Sequence, residues 1–241
     1  MSIEASFTQD DRLRLRAAVE RRYSCRSYAQ APTLGDWAAL SYAAGRCESA
    51  VVRLPLLRVE PEVFGEGSGA AALAAVVVRT FERNASLLAG FAGERLCLEA
   101  AAMGLASCWV NGNYRRRMLN LTLARGESLS GVIALGYPMP GVAQPLRCRK
   151  PLEALTLTDA SRWRSEAREA ARLVRLSPSA MNAQPWQMDC DGEAFSIFAE
   201  RAHPLETGIA VCHAELALTT PHEWRFAQRP GDASARAVWK Q

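Results

Sequence analysis

Apolar residues recur every three to four positions through much of the chain, and each such stretch predicts a helix with one face turned inward. The pattern places helices over 9–22, 34–44, 82–103, 113–120, 161–175 and 205–218. Their ends carry matching signals. Thr8 is a suitable N-cap for the first, Asp10 and Asp11 suit its positive first turn, and Arg21 and Arg22 suit its far end. The second follows Thr33 and stops at Gly45, and the third, carrying Leu87, Leu88, Phe91, Leu96 and Leu98 among alanines, ends before Gly104. Strand-like stretches cover 51–59, 74–79, 131–137, 186–190, 194–199, 223–228 and 235–239, and Asp191-Gly192 between two of them predicts a hairpin. The segment 139–159 carries three prolines and reads as a long connection. The fold class is therefore α+β, with a first half over 1–150 and a second over 151–241. Each half sets helices around short strands, although no repeat is visible residue by residue.

Composition narrows the setting. The chain is 49% hydrophobic and 22% charged, as expected of an ordinary globular protein. Its longest apolar run, Ala70 to Val78, falls far short of the roughly 20 residues that span a bilayer. The N-terminal stretch has acids and no apolar core, so it does not read as a secretory signal. Seven cysteines stand at scattered positions with no C-x-x-C pair, which favours idle, reduced thiols and a cytoplasmic location. The net charge of +4 is mild. The runs Arg115-Arg116-Arg117 and Arg147-Cys148-Arg149-Lys150 are short and surrounded by acids elsewhere, so neither nucleic acid nor membrane is an expected partner. Anionic groups on a small ligand account for them equally well.

Other motifs point to no chemistry. Gly65 to Ala70 formally fits a loose G-x-G-x-x-A fingerprint, but the valine-rich segment after it reads as a strand, where the fingerprint needs a helix N-terminus. His203, His213 and His222 lack metal-ligand spacing, and His213 reads as a packed, hydrogen-bonded histidine. No G-x-S-x-G elbow is present.

Three segments gain meaning together. In Arg22-Tyr23-Ser24-Cys25-Arg26, two guanidinium groups and a hydroxyl at alternate positions suit a phosphate, although arginines here also suit the helix dipole. Ser177-Pro-Ser-Ala-Met-Asn-Ala-Gln-Pro-Trp186 packs polar and rigid residues into one turn, an arrangement suited to a flat heteroaromatic ligand. The third is Gly104-Leu-Ala-Ser-Cys-Trp-Val-Asn-Gly112, with Gly136-Tyr-Pro138 and Arg147 to Glu153 following later. As a set, over about residues 12–225, they resemble the nitroreductase family, and within it a tandem subfamily from bacteria and archaea. The shared patterns are an RRSxR-like phosphate motif, an APSxxNxQPW loop, a GLGSxxxxG segment and a KxRxPLE-like closing motif. In the tandem subfamily the APSxxNxQPW loop lies in the second half of the chain, as it does here.

The resemblance implies an internal pseudo-dimer holding one FMN, with the roles of two subunits fused in one chain. Arg22, Ser24 and Arg26, with Arg147 and Arg149, are the implied phosphate ligands. Pro178, Ser179, Asn182 and Gln184 are the implied contacts of the ribityl chain and ring, and Trp109, Asn111 and Gly112 lie near its reactive edge. The implied activity is hydride transfer from NADH or NADPH, through the flavin, to an electron-poor acceptor such as a nitroaromatic or quinone. No side-chain acid or base is required, because the cofactor carries the chemistry. The chain departs from the family at Tyr23, where a second basic residue is usual, and at Trp109 and Asn111, where Pro and Glu are frequent. Those departures support the alternative, a non-catalytic flavin-binding protein or a relic that has lost FMN. The expected assembly is a monomer or a weak homodimer.

Overall fold

The structure, a computed structural model, describes residues 7–65, 68–110, 112, 114–142, 148–199, 203–227 and 234–240. The chain divides into two compact units, one formed by 21–146 and the other by 1–20 together with 147–241.

The 21–146 unit is built on β1 (Tyr28–Gln30), β2 (Val52–Arg53), β3 (Leu56–Arg58), β4 (Ala72–Arg79), β5 (Ala106–Val110) and β6 (Glu127–Pro138). The sheet order is β1-β6-β4-β2, with β3 also on β4 and β5 also on β6, and every pair is antiparallel. Seven of the eight residues of β4 are buried, so it reads as a continuous apolar run without alternation. Helices α2 (Leu34–Cys47) and α3 (Ala85–Ala102) pack here. A capping box between Thr33 and Asp36 starts α2. Helix α3 is apolar nearly all round and almost wholly buried, as such a helix must be. The expected strand over 51–59 is split at Pro55, whose missing N–H cannot join a ladder, and β2 and β3 are its two pieces.

In the other unit, β7 (Trp186–Cys190), β8 (Ala194–Ala199), β9 (His222–Phe226) and β10 (Ala235–Trp239) form an antiparallel sheet in the order β7-β8-β10-β9. The Asp191-Gly192 hairpin is present: Asp191 Oδ1 accepts from Glu193 and Ala194 N–H, and Gly192 takes φ +87°. Helices α4 (Ser165–Arg175) and α5 (Pro204–Glu215) pack in this unit, and the wholly buried His213 bonds the Leu173 carbonyl at 2.9 Å, the packed role expected of it.

Three expectations differ from the structure. The helix α1 (Gln9–Arg21), placed by sequence in a 1–150 half, belongs with the C-terminal unit. Its buried Leu15, Ala18 and Val19 supply an apolar face, and Arg12 and Arg16 reach Glu215 and Glu169, each at 2.8 Å. The second difference is β5, which the periodicity did not reveal; five residues between Gly104 and Gly112 are too few to display a period. The third is the helix expected over 113–120, where the described residues form only a 3-10 turn at Arg116–Met118. Leu119, Leu121 and Leu123 alternate with polar residues and pack in extended chain on the sheet core around Leu73, Val77 and Val132.

Candidate functional site

The predicted site residues fall into two groups, one in each unit, while Asn111 and Arg147 lie outside the described residues.

The first group is organised by β5. After α1 the chain runs beside this strand: Ser24 and Ser107 form a parallel bridge, and Cys25 N–H donates to the Ser107 carbonyl at 3.0 Å. This alignment separates the two arginines. Arg22 is only 4% exposed, and its Nε faces the Glu94 carboxylate of α3 at 3.4 Å. Arg26 is exposed and has no ion-pair or hydrogen-bond partner among the described residues. It lines a hollow of about 160 Å³ with Tyr23, Ser24, Ser27, Pro138 and Met139, so a guanidinium and two hydroxyl-bearing residues share one small cavity. Burial lifts the Cys108 thiol above the usual range, and Arg26 and Arg22 pull against that shift. Burial also raises the Tyr23 hydroxyl, with Cys25 adding to the effect, so Tyr23 is neutral at physiological pH.

Trp109 is seated elsewhere than at a ligand edge. Its indole Nε1 donates to Glu94 Oε2 at 2.9 Å. The ring lies over Gly93, where an added Cβ would come within 2.3 Å of Cη2. Glycine at 93 is what lets the indole cross α3 so closely. Gly112, just past β5, has φ +78°, a conformation that glycine adopts without cost.

The second group is the turn 177–186 with the segment 148–150. Met181, Asn182 and Gln184 all have positive φ, at 50°, 53° and 48°. Such non-glycine residues are uncommon, and each costs of order 1 kcal/mol or more. The strain is held by hydrogen bonds. Asn182 accepts from the Arg149 guanidinium and donates from Nδ2 to the Cys148 carbonyl at 2.7 Å. Gln184 is buried; its Oε1 accepts from Lys150 N–H at 2.9 Å and its Nε2 donates to the Asn182 carbonyl at 3.2 Å. Ser179 Oγ accepts from Gln184 N–H at 2.9 Å, and Lys150 Nζ caps the Ala183 carbonyl at 2.9 Å. The structure therefore brings Arg149 to Asn182, in the role of brace for the turn. Pro178 is buried, Ser179 is half-buried and Met181 is 98% exposed.

Glu94 is the residue that sequence reasoning missed. It sits in a helix of alanines and leucines and is wholly buried, as its neighbours Arg95 and Glu99 nearly are. Charged residues at inward positions of so apolar a helix were the available signal, since burying them demands partners.

Residues 67–218 match the model of the family described as "Putative TM nitroreductase". Among solved structures, one described as a "putative nitroreductase" from Thermotoga maritima is 20% identical and covers 93% of each chain, with a TM-score of 0.65. Another, from Desulfovibrio desulfuricans and solved in complex with FMN, is 21% identical and covers 60% of this chain and 96% of that one, with a TM-score of 0.49. A nitroreductase with bound FMN from Bacteroides fragilis is 18% identical over 56% of this chain and 94% of that one, with a TM-score of 0.47. No curated protein matches the chain.

Proposed function

The chain belongs to the family described as "Putative TM nitroreductase", and from that premise we propose that it is an FMN-dependent oxidoreductase holding one FMN per chain. The observation that carries this reading is the 160 Å³ hollow in which Arg26 stands without a partner among the described residues beside Ser24 and Ser27. A phosphate monoester would satisfy that guanidinium and those hydroxyls with charge-assisted hydrogen bonds. Ser24 and Arg26 are the proposed phosphate ligands. Arg22, buried against Glu94, is excluded from a direct role. Arg147 remains a proposed contributor to the same grip.

The turn 177–186 supports the reading in a different way. Backbone strain at three residues persists only where surrounding contacts over-determine it, and such strain clusters at ligand clamps. Arg149, Asn182 and Gln184 act by holding this backbone, and Pro178, Ser179 and the Asn182 amide are the proposed contacts of the ribityl chain and ring. Asn111 and Gly112 are proposed near the ring edge, and Trp109 acts by fixing the end of β5.

When bound, FMN supplies two-electron chemistry from NADH or NADPH to an electron-poor acceptor of nitroaromatic or quinone type. The protein binds and orients the cofactor, and no side chain is asked to move a proton. The absorption spectrum of the purified protein tests this directly. A flavin band that bleaches on adding NADH or NADPH and returns with a quinone is the expected result. A colourless protein that takes up no added FMN overturns the cofactor, and a flavin that neither nucleotide bleaches overturns the activity. Arg26→Ala sharpens the test: loss of its contact should weaken FMN about ten- to hundredfold while leaving riboflavin, which lacks the phosphate, nearly unaffected.

A further inference from the structure

We infer that Glu94 is a positioning residue for the Ser24–Arg26 hollow, acting through both Arg22 and Trp109. This rests on the reading of that hollow as the FMN phosphate site.

A carboxylate in the middle of an apolar helix is costly to bury, and it persists only when its oxygens are occupied. Glu94 divides its two oxygens between two different chain segments. Oε2 takes the Trp109 indole N–H at 2.9 Å, near the end of β5. Oε1 faces Arg22 Nε at 3.4 Å, at the start of the segment that carries Ser24 and Arg26. These segments are already joined between the two anchors, by the Ser24–Ser107 bridge and the Cys25 N–H bond to Ser107. One carboxylate therefore fixes two neighbouring strands at opposite ends of their contact. Gly93 completes the seat by leaving room for the indole directly beside Glu94. Four residues beyond the buried Arg22 comes the exposed Arg26, whose bearing depends on where the first of the two arginines is tied.

Glu94 touches no part of the hollow itself, as it is not among the residues lining it. Its effect is on the placing of Ser24 and Arg26. The quantity that reports this is the preference of the protein for FMN over riboflavin, because a general loss of folding lowers both ligands alike.

The experiment measures the dissociation constants of FMN and riboflavin for the full chain and for Glu94→Gln, which keeps an acceptor for Trp109 but removes the charge facing Arg22. The preference for FMN should fall about tenfold. An unchanged preference overturns the inference, and a raised one overturns it too, since that would mean Glu94 had been competing with phosphate for Arg22. The double variant Arg22→Met with Glu94→Gln covers the case in which the single variant fails to fold, because replacing both members of a buried pair with similar volume is tolerated. Its melting temperature should stay near that of the parent while its FMN preference remains tenfold lower. A double variant as stable as the parent with full FMN preference makes the pair purely structural and overturns the inference. A parent chain with no preference for FMN removes the phosphate reading and this inference together, whereas a parent preference that survives in the variants removes the inference alone.

Discussion

The segment Arg22–Arg26 and the turn Ser177–Trp186 carry the two most specific motifs of the chain, yet they are prepared for a ligand by opposite means. Among the described positive-φ residues that are not glycine, none lies in the first segment, which offers a side chain: Arg26 is left without a partner while Arg22 is withdrawn into the core with Glu94. In the turn the polar side chains are consumed internally, and the backbone is what is unusual, with three residues in the left-handed region. Motif residues thus divide into those that can meet a ligand and those that hold its surroundings. The division does not follow residue type, since Arg22 and Arg26 fall on different sides of it.

The largest effect should come from breaking the buried pair in the first region. Arg22→Met leaves the Glu94 carboxylate buried with its ionic partner gone and should cost about 3–5 kcal/mol in urea unfolding. A loss below about 1 kcal/mol would place Arg22 among the surface arginines instead. In the turn, Gln184→Ala strands the Lys150 N–H that the amide now satisfies, and the expected cost is roughly 1–3 kcal/mol. Asn182→Ala, at an exposed position, should cost less.

The opposite sign is expected at the exposed tip. Met181 packs against almost nothing and sits at φ 50°, so Met181→Gly should relieve strain and raise stability by up to about 1 kcal/mol. A lower melting temperature would mean that the side chain supports the turn in a way the contacts do not reveal.

The smallest effect separates the units by pH. Burial tends to lower the pKa of His222, but hydrogen bonding and charge from Glu215, with the Thr220 carbonyl at Nδ1, outweigh it and raise the value above 6.5, against a small opposing contribution from Arg12. A histidine raised in this way stabilises the fold fully below its ordinary value, and the contribution is lost as pH rises through the raised one. Melting temperatures followed from about pH 5 to 8 should decline through that upper range, and His222→Gln should flatten the decline. An unchanged slope in the variant would remove His222 as its cause.

Much of this arrangement was legible in the chain. Both motifs, the α+β class, the Asp191-Gly192 hairpin and the packed His213 follow from residue types at their spacings. The strand β5 was not legible, because five residues hold too little periodicity, although the alternation Leu119, Leu121, Leu123 did mark the extended chain beyond it. Neither was the division between Arg22 and Arg26. Alternate positions on an extended segment point the same way, so the pattern suggested convergence; only a buried carboxylate from α3 draws one of them inward. The allegiance of α1 was hidden for a similar reason, since its face is complementary to helices more than a hundred residues later in sequence.

The central claim is that this chain carries one phosphate-gripping segment and one clamping turn, and hence one flavin. Titrating cofactor-free protein with FMN, followed by the quenching of flavin fluorescence, tests it most directly. The 21–146 segment has Arg22-x-Ser-x-Arg26 but reads Gly45-Arg-Cys-Glu-Ser-Ala50 where its own turn would follow α2, and 156–164 holds no R-x-S-x-R spacing. Saturation at one equivalent per chain, with riboflavin binding more weakly, is the predicted result. Saturation at two equivalents, or riboflavin binding as tightly as FMN, would contradict it.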